Sequence, residues 1–378
     1  MPYCKVLHII DCYLPQTMNW INNLLMHSAD RCQHYIYCNY KIAAIPSPLI
    51  DIDNDKKLIS YPISPIQKIK HKLSLSHKKK KLLQFIRKEK IQCIHVHFGN
   101  MGIEYFDILK EVPIPKFISL YGFDYEYLPN NYPDIKSSYY DMSRCGVKFI
   151  VEGRFSLQIL ESYGIETKDI GLIHLSPAKC GVYKLNPWST PIRLIQVATY
   201  TPKKGQETLL NALTRFNRNI FKVDLYGEMG DSLYYQSLVE IISKNNLHNV
   251  RLYGKIGKEE YQKKLNGAHI AVNLSRKTDR MDTEGGVPVF IKEALLCGKP
   301  VLSTFHCDIP ETVIHNFTGW LINENNVDEC YLTLCKIQNL TYKEYQKYSG
   351  LAYISMESNA NKSLGSMELV DLYVESLP

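Results

Sequence analysis

The chain lacks any C-x-x-C pair, although it holds 11 cysteines. An odd number of scattered thiols fits neither a zinc ribbon, nor a thioredoxin motif, nor a disulfide framework. It fits reduced cysteines in a cytosolic protein. No apolar run approaches the roughly 18–20 residues that a membrane-spanning helix needs. The opening MPYCKVLHIIDCYLP has an apolar part too short and wrongly flanked for a signal peptide, and KVLHII reads as a first strand. No G-x-G-x-x-G follows that strand, which argues against a nicotinamide dehydrogenase. Internal repeats are absent too.

Acid is scarce in one place. KIKHKLSLSHKKKKLLQFIRKEK, Lys68–Lys90, carries ten basic residues and one acid. Residues 1–185 hold 24 basic and 17 acidic side chains, whereas residues 186–378 hold 21 of each, so the whole excess lies in the first half. Lys70, Lys72, His77, Lys80 and Lys81 are interleaved with Leu73, Leu75, Leu82, Leu83, Phe85 and Ile86. Such a stretch is either a solvated helix face or a basic amphipathic surface for an anionic membrane or an anionic acceptor. It would also attract nucleic acid, but no nucleic-acid recognition fold accompanies it.

What the chain does have is alternation. Strand-like runs at Lys5–Ile10, His34–Cys38, Cys93–Phe98, Lys116–Ser119, Lys148–Val151 and Gly171–Leu175 are separated by helical patterns. The second half restarts with Arg193–Ala198, Phe221–Tyr226, Val250–Tyr253, Ile270–Asn273 and Val301–Ser303. This predicts α/β architecture: two doubly wound parallel-sheet domains. YKLNPWSTP, Tyr183–Pro191, has the composition of a linker between them. The expected domains are therefore 1–185 and 186–358, with a weakly helical tail over 359–378 crossing back to the first. Two such domains facing each other across a cleft would bind ligands beyond the carboxyl ends of their strands.

One segment carries chemistry in that position. In EGGVPVFIKE, Glu284–Glu293, Pro288 suits the first helical position and Gly298 the stop, predicting a helix over Pro288–Cys297. Gly285 and Gly286 form the turn before it. Glycines let backbone approach a ligand, and a helix N-terminus offers unpaired N–H groups and partial positive charge, so Gly285–Val289 reads as a phosphate site. Glu293, between one and two turns inside, is placed to accept hydrogen bonds from a ribose. Glu284 stands at the mouth, where a sugar on those phosphates would project. The bland alternative is a Gly-Gly loop followed by a solvated helix.

The run TEGGVPVFIKEALLCGKPVLSTFHCDIPE, Thr283–Glu311, resembles the signature of retaining glycosyltransferases of family 4, which have the GT-B fold of two Rossmann-like domains. That family spaces its two glutamates with seven residues between them; here there are eight, so either Glu284 or Gly285 takes the usual first-acid place. LIQVATYTPKKGQETLLNAL, Leu194–Leu213, resembles the family's strand, loop and helix ending in Lys-Gly, and the resemblance gives Lys204 a contact to the donor diphosphate. Thr199 stands where many members have an arginine; Arg276, Arg280 or Lys203 are candidates to compensate. Asp224–Ser232 resembles the Gly-x-Gly turn and brings in Gly227. Asp11–Leu25 resembles the opening loop, with Gln16 and Thr17 as candidates beside the diphosphate.

IHVHFGNMG, Ile94–Gly102, and SLYGFDYEYLP, Ser119–Pro129, resemble the acceptor-side loops. Tyr121 occupies the place of a histidine beside the reacting sugar. A phenol with a pKa near 10 can donate a hydrogen bond but is a poor base at neutral pH, so positioning suits Tyr121 better than proton abstraction. Asp124 either holds its loop, as a turn-capping aspartate does, or faces the acceptor. His95 and His97 share a strand face, with His97 toward the acceptor and His95 in the core. Two histidines on one face can bind metal, but no third ligand stands at a recognisable spacing.

Together these readings imply a retaining glycosyltransferase requiring no metal or other cofactor. It would move a hexosyl group from a UDP- or GDP-linked sugar to a lipid-linked, lipopolysaccharide or capsular glycan. The expected location is cytoplasmic, peripheral on the inner membrane face through Lys68–Lys90. The alternatives are a non-catalytic GT-B scaffold that binds a glycan, and a nucleotide-sugar epimerase or glycogen-synthase-like enzyme on the same fold. The base, sugar, acceptor, linkage and oligomeric state are not encoded in any motif.

Overall fold

The computed structural model describes residues 4–13, 19–53, 58, 63–175, 183–361 and 364–378. Contacts divide the chain into two units, Met1–Ser176 with Ser363–Pro378, and Pro177–Lys362. The first unit is built on β1 (Cys4–Tyr13), β2 (Cys32–Lys41), β3 (Ile50–Asp51), β4 (Cys93–His97), β5 (Lys116–Ser119), β6 (Val147–Val151) and β7 (Ile170–Leu172). All pairs are parallel, in the order β3-β2-β1-β4-β5-β6-β7.

Successive strand residues point to opposite faces, and this sorts the two cores of the first sheet. Leu7 and Ile9 on β1, Tyr35 and Tyr37 on β2, and Ile94 and Val96 on β4 join one apolar cluster. Val6, Ile10, Ile36 and Cys93 lie on the other face, covered by Leu24 and Leu25 and by Leu369, Val370 and Tyr373 of the helix Leu364–Glu375. His8, His34, His95 and His97 share this second face: His8 sits beside His95 and Val6 beside His34 in register.

Pro65–Lys88 is one helix, opened by a capping box in which Ser64 Oγ accepts from the Gln67 N–H and the Gln67 side chain accepts from the Ser64 N–H. Its C-terminal half packs inward through Leu82 and Ile86, with Leu83 and Phe85 against the same cluster, and His71 and Leu75 of the N-terminal half also turn inward. Its N-terminal half exposes Ile66, Ile69 and Leu73. Among the described residues no helix is long and apolar enough to cross a membrane.

The second unit contains β8 (Ile192–Val197), β9 (Phe221–Tyr226), β10 (Val250–Tyr253), β11 (Ile270–Asn273), β12 (Val301–Thr304) and β13 (Gly319–Ile322), in the parallel order β10-β9-β8-β11-β12-β13. β13, GWLI, is missing from the sequence reading. Chain order reverses between β1 and β4 in the first sheet and between β8 and β11 in the second. Such switch points open a crevice at the strands' carboxyl ends.

Two boundaries differ from expectation. Tyr183–Trp188 packs into the second unit instead of linking: the Lys184 carbonyl accepts from Lys299 Nζ at 2.8 Å, Asn186 donates to the Asn266 and Ala268 carbonyls, and the Trp188 ring stacks on Tyr345. Prolines and small polar residues mark the absence of regular structure there, and buried partners keep the segment in place. The helix after Gly285-Gly286 runs Val289–Leu296, with Pro288 at its N-cap (ψ 129°) and not inside it.

Candidate active site

The candidate donor residues gather at the β8/β11 switch point. β8 leads through Thr199 into the turn Pro202–Lys204, closed by Gly205 at φ 64°. A Cβ on Gly205 would lie 1.9 Å from the Leu274 carbonyl oxygen, so the close approach of the two loops requires glycine. Gln196 Nε2 holds the Lys204 carbonyl at 2.9 Å, and Arg276 fastens the same turn by donating Nε–H to the Pro202 carbonyl at 2.9 Å and N–H to that of Lys203 at 2.9 Å.

Lys204 Nζ donates to both Glu284 oxygens, at 2.6 and 2.7 Å. Ser275 Oγ, just beyond β11, lies 2.6 Å from Glu284 Oε1. Burial alone would push this carboxyl up; the Lys204 and Lys203 charges and the hydrogen bonds from Lys204 and Ser275 overcome it and hold it at about 2. Only 9% of the Glu284 side chain is exposed. The expectation of a carboxylate at an open mouth is therefore corrected: two loops bind it as one half of an ion pair. The carboxylate in this turn is that of Glu284, paired with Lys204. Gly285 supplies the left-handed turn, at φ 75°.

His306 supports the same carboxylate's backbone. Its Nε2 accepts the Glu284 N–H at 3.1 Å, which places the ring proton on Nδ1, donated to Glu324 Oε1 at 2.6 Å. Beyond this, Gly286 and Val287 lead to the N-terminus of Val289–Leu296, with Val287 buried in a core cluster. Glu293 lies one turn inside. Burial pushes its carboxyl up to about 7, although the Tyr261 hydroxyl donates to Oε2 and Lys258 is near.

Gly227 sits where a Cβ would be 2.0 Å from the Ala198 carbonyl oxygen, so its role is close packing of two strand ends. Thr199 is exposed, and its carbonyl accepts from Gln206 Nε2 at 3.1 Å. Lys203 is occupied by Asp282 at 2.9 Å. Gln16 and Thr17 lie outside the described residues.

The acceptor-side candidates cluster at the carboxyl ends of β4 and β5 in the first unit. Asp124 is fully buried: Oδ1 accepts the Gly99 N–H at 2.9 Å and Oδ2 the Tyr121 N–H at 2.8 Å. It ties the loop after β4 to the loop after β5 and does not face an acceptor. Burial pushes its carboxyl up to about 7 against those two hydrogen bonds. His97 is also fully buried, and its Nδ1 meets the Tyr121 hydroxyl at 3.0 Å. It therefore stands behind Tyr121, not on the acceptor surface.

Burial is the main reason that all four histidines of this face stay neutral. It lowers His34 to about 4 and His97 to about 3, and, with neighbouring imidazoles, holds His8 and His95 well below the ordinary value. His8, His95 and His97 bring ring nitrogens within 4.8 Å of one another, so the third imidazole that spacing does not reveal is His8. The His95 and His97 rings stack at 4.2 Å and 27°, so their in-plane lone pairs run side by side and do not converge on one point. Both His95 nitrogens are also engaged, by Tyr373 and by Ser119.

The family described as Glycosyl transferases group 1 matches residues 184–348. That stretch is a glycosyl transferase group 1 domain. It coincides with the second unit from Lys184 to the middle of the helix Tyr342–Asn361, and so contains the whole Lys204–Glu284–Glu293 arrangement. The chain is 30% identical over 166 residues to the amylovoran biosynthesis glycosyltransferase AmsK of Erwinia amylovora, which is 43% of this chain and 40% of that protein. The alignment thus spans less than half of that relative's length. Among solved structures, a glycosyltransferase from Rickettsia africae superposes with a TM-score of 0.74 over 99% of both chains, at 17% identity. Anabaena Alr3699/HepE, solved in complex with UDP and glucose, also gives 0.74, over 99% of this chain and 100% of that one, at 14% identity. The fold is GT-B, with a Rossmann-like sheet in each unit.

Within the group 1 domain, sequence reasoning missed Ser275, His306 and Glu324. Each follows directly on the carboxyl end of β11, β12 or β13, and that position is the signal that could have found them.

Proposed function

We propose that the chain is a retaining glycosyltransferase, independent of metal, that moves a hexosyl group from a UDP- or GDP-linked sugar to a lipid-linked, lipopolysaccharide or capsular glycan. The observation that carries this reading is the Lys204–Glu284 pair, 2.6 Å apart at the β8/β11 switch point, with the helix Val289–Leu296 beginning five residues beyond the glutamate. The donor diphosphate settles at that N-terminus and draws on Lys204, while Glu293 accepts from the ribose. Arg276, already fixed to the Lys204 turn, supplies the cationic contact that Thr199 cannot. HepE being solved with UDP and glucose supports a nucleoside diphosphate donor.

Lys204 and the helix N-terminus stabilise the charge that grows on the departing diphosphate, which takes the acceptor's proton on the same face. Glu284, committed to Lys204 and Ser275, is poorly placed as a nucleophile for double displacement. The first unit receives the acceptor, with Tyr121 positioning it. The N-terminal half of Pro65–Lys88 places Ile66, Ile69 and Leu73 on one exposed stripe, with Lys70, His77 and Lys80 on the same side at 100° per residue. This supports peripheral docking on an anionic leaflet at the cytoplasmic membrane face.

Calorimetry with UDP and with GDP tests the donor site. One of them binds the wild type and binds Glu293→Ala more weakly; binding of neither would sink the reading and favour a scaffold. Lys204→Ala should lower turnover by roughly 30- to 1,000-fold, as loss of an oxyanion donor costs about 2–4 kcal/mol, and unchanged turnover would remove Lys204 from the mechanism. Product analysis without acceptor excludes or reveals an epimerase.

A further inference from the structure

The histidines behind Tyr121 form a series whose hydrogen-bond roles can be assigned from its far end. Ser28 Oγ lies 2.9 Å from the Leu24 carbonyl and 3.1 Å from that of Leu25. Carbonyl oxygens only accept, so the hydroxyl proton goes to one of them. Oγ then accepts from His34 Nε2 at 2.9 Å, which places the His34 proton on Nε2. His34 Nδ1 must accept from His8 Nε2 at 2.9 Å. His8 Nδ1 accepts from His97 Nε2 at 3.1 Å. His97 Nδ1, the last free lone pair, accepts the Tyr121 hydroxyl at 3.0 Å. Each neutral ring gives one hydrogen bond and takes one. Reversing a single link would set two protons or two lone pairs face to face, so the direction belongs to the series as a whole. His95 is bonded to Tyr373 and to Ser119, whose side chain also lies against the Tyr121 hydroxyl, and it exchanges no hydrogen bond with the three rings of the series.

We propose that Ser28, His34, His8 and His97 fix the hydrogen-bond role of Tyr121, so that its phenol meets a glycan only as an acceptor of a sugar hydroxyl. This rests on the acceptor-side reading of Tyr121 given above. Tyr121 lines a largely apolar recess with Leu24, Ser119, Ile150, Glu152 and Leu369 that is about the size of one water molecule, room for a single hydroxyl and not for a sugar ring. A phenol whose proton is committed inward can take a hydrogen bond from a hydroxyl, but it has nothing to offer a carboxylate or phosphate oxygen. The selectivity is for a neutral, hydroxyl-bearing part of the acceptor. Tyr121 would touch the sugar; the other four are positioning residues, acting only through it.

Imidazole tautomers are read directly from long-range proton–nitrogen correlations of the full chain labelled with 15N-histidine. The wild type at pH 7 is expected to show His34, His8 and His97 all in the Nε2–H form. An Nδ1–H or imidazolium form at any of them overturns the proposal. Ser28→Ala takes Oγ from His34 Nε2 and leaves it only the carbonyl of residue 28, which already accepts the Arg31 and Cys32 N–H groups, and an orphaned buried N–H is less tolerable than an unused lone pair. All three rings should then change to Nδ1–H, His97 included, and Ser28→Thr should restore the wild-type pattern. A change confined to His34 overturns the proposal. Should Ser28→Ala not fold, Tyr121→Phe serves at the opposite end: it removes no acceptor, so all three rings stay Nε2–H, and a change at any ring overturns the assignment. These measurements need no substrate. Their failure faults the series alone, whereas absence of UDP and GDP binding faults the glycosyltransferase reading.

Discussion

At Glu284, burial and charge pull in opposite directions, and charge wins. The folded carboxyl is held at about 2, below its ordinary value of 4.5. The stabilisation is therefore complete above about pH 5 and is lost as the pH falls through 4.5 toward 2. It amounts to about 3 kcal/mol. Between pH 7 and pH 2.5, wild-type unfolding free energy should fall by more than that of Glu284→Gln, by up to this amount, in urea titrations of the second unit. Equal acid sensitivity of the two proteins would show that the Lys204 pair contributes nothing to stability. Glu284 was legible in the sequence because a carboxylate before two glycines and a helix is a recognisable arrangement. Its partner was legible only as a separate motif, since Lys204 lies 80 positions earlier and no spacing rule links the two. Asp124 was readable as a loop holder from its turn context, whereas the loop it holds, at Gly99, was not.

Elements were legible where their period ran long enough. Ten of the eleven strands read from the sequence overlap the strands formed, and the eleventh, Gly171–Leu175, meets β7 at its first two residues. The two-residue β3 left nothing to count, and β13 was passed over although four-residue strands such as β10 and β11 were read. Pro65–Lys88 shows the limit of pattern reading in another way. Its charges left a solvated face and an amphipathic surface as alternatives; in the structure His71, Leu82 and Ile86 are buried, while the N-terminal half keeps one bare apolar stripe. Leu73 in that stripe is 82% exposed. Ile69→Glu with Leu73→Glu should therefore abolish co-flotation with vesicles containing anionic phosphatidylglycerol and leave the melting temperature nearly unchanged. Retained flotation would reassign the stripe to solvent. Surface substitutions away from packed features usually stay within about 0.5 kcal/mol, so the control is a clean one.

At the level of the molecule, the doubly wound architecture followed from alternation, and the proposed donor site was picked out by one motif at a strand end. The histidine layer did not. It is assembled from β1, β2 and β4 together with Tyr373 from the other end of the sequence, and contacts separated by 278 residues leave no trace in a local pattern. Leu369, Val370 and Tyr373 are almost wholly buried on the face of the first sheet. Each buried side chain of this size contributes roughly 1.5–3 kcal/mol, so losing all three removes an amount comparable with the net stability of a domain, about 5–15 kcal/mol. Deleting residues 364–378 should leave hydrogen-exchange protection of β8–β13 intact and remove that of β1, β2 and β4. Protection retained in both units would refute this dependence.

The same return of the chain sets an order on biosynthesis. A ribosome releases the second unit with all its parts in hand, while the first waits, with one side of its sheet covered only in part by Leu24 and Leu25, until Leu369 and Tyr373 have cleared the exit tunnel. The half that is translated first is thus the half that matures last.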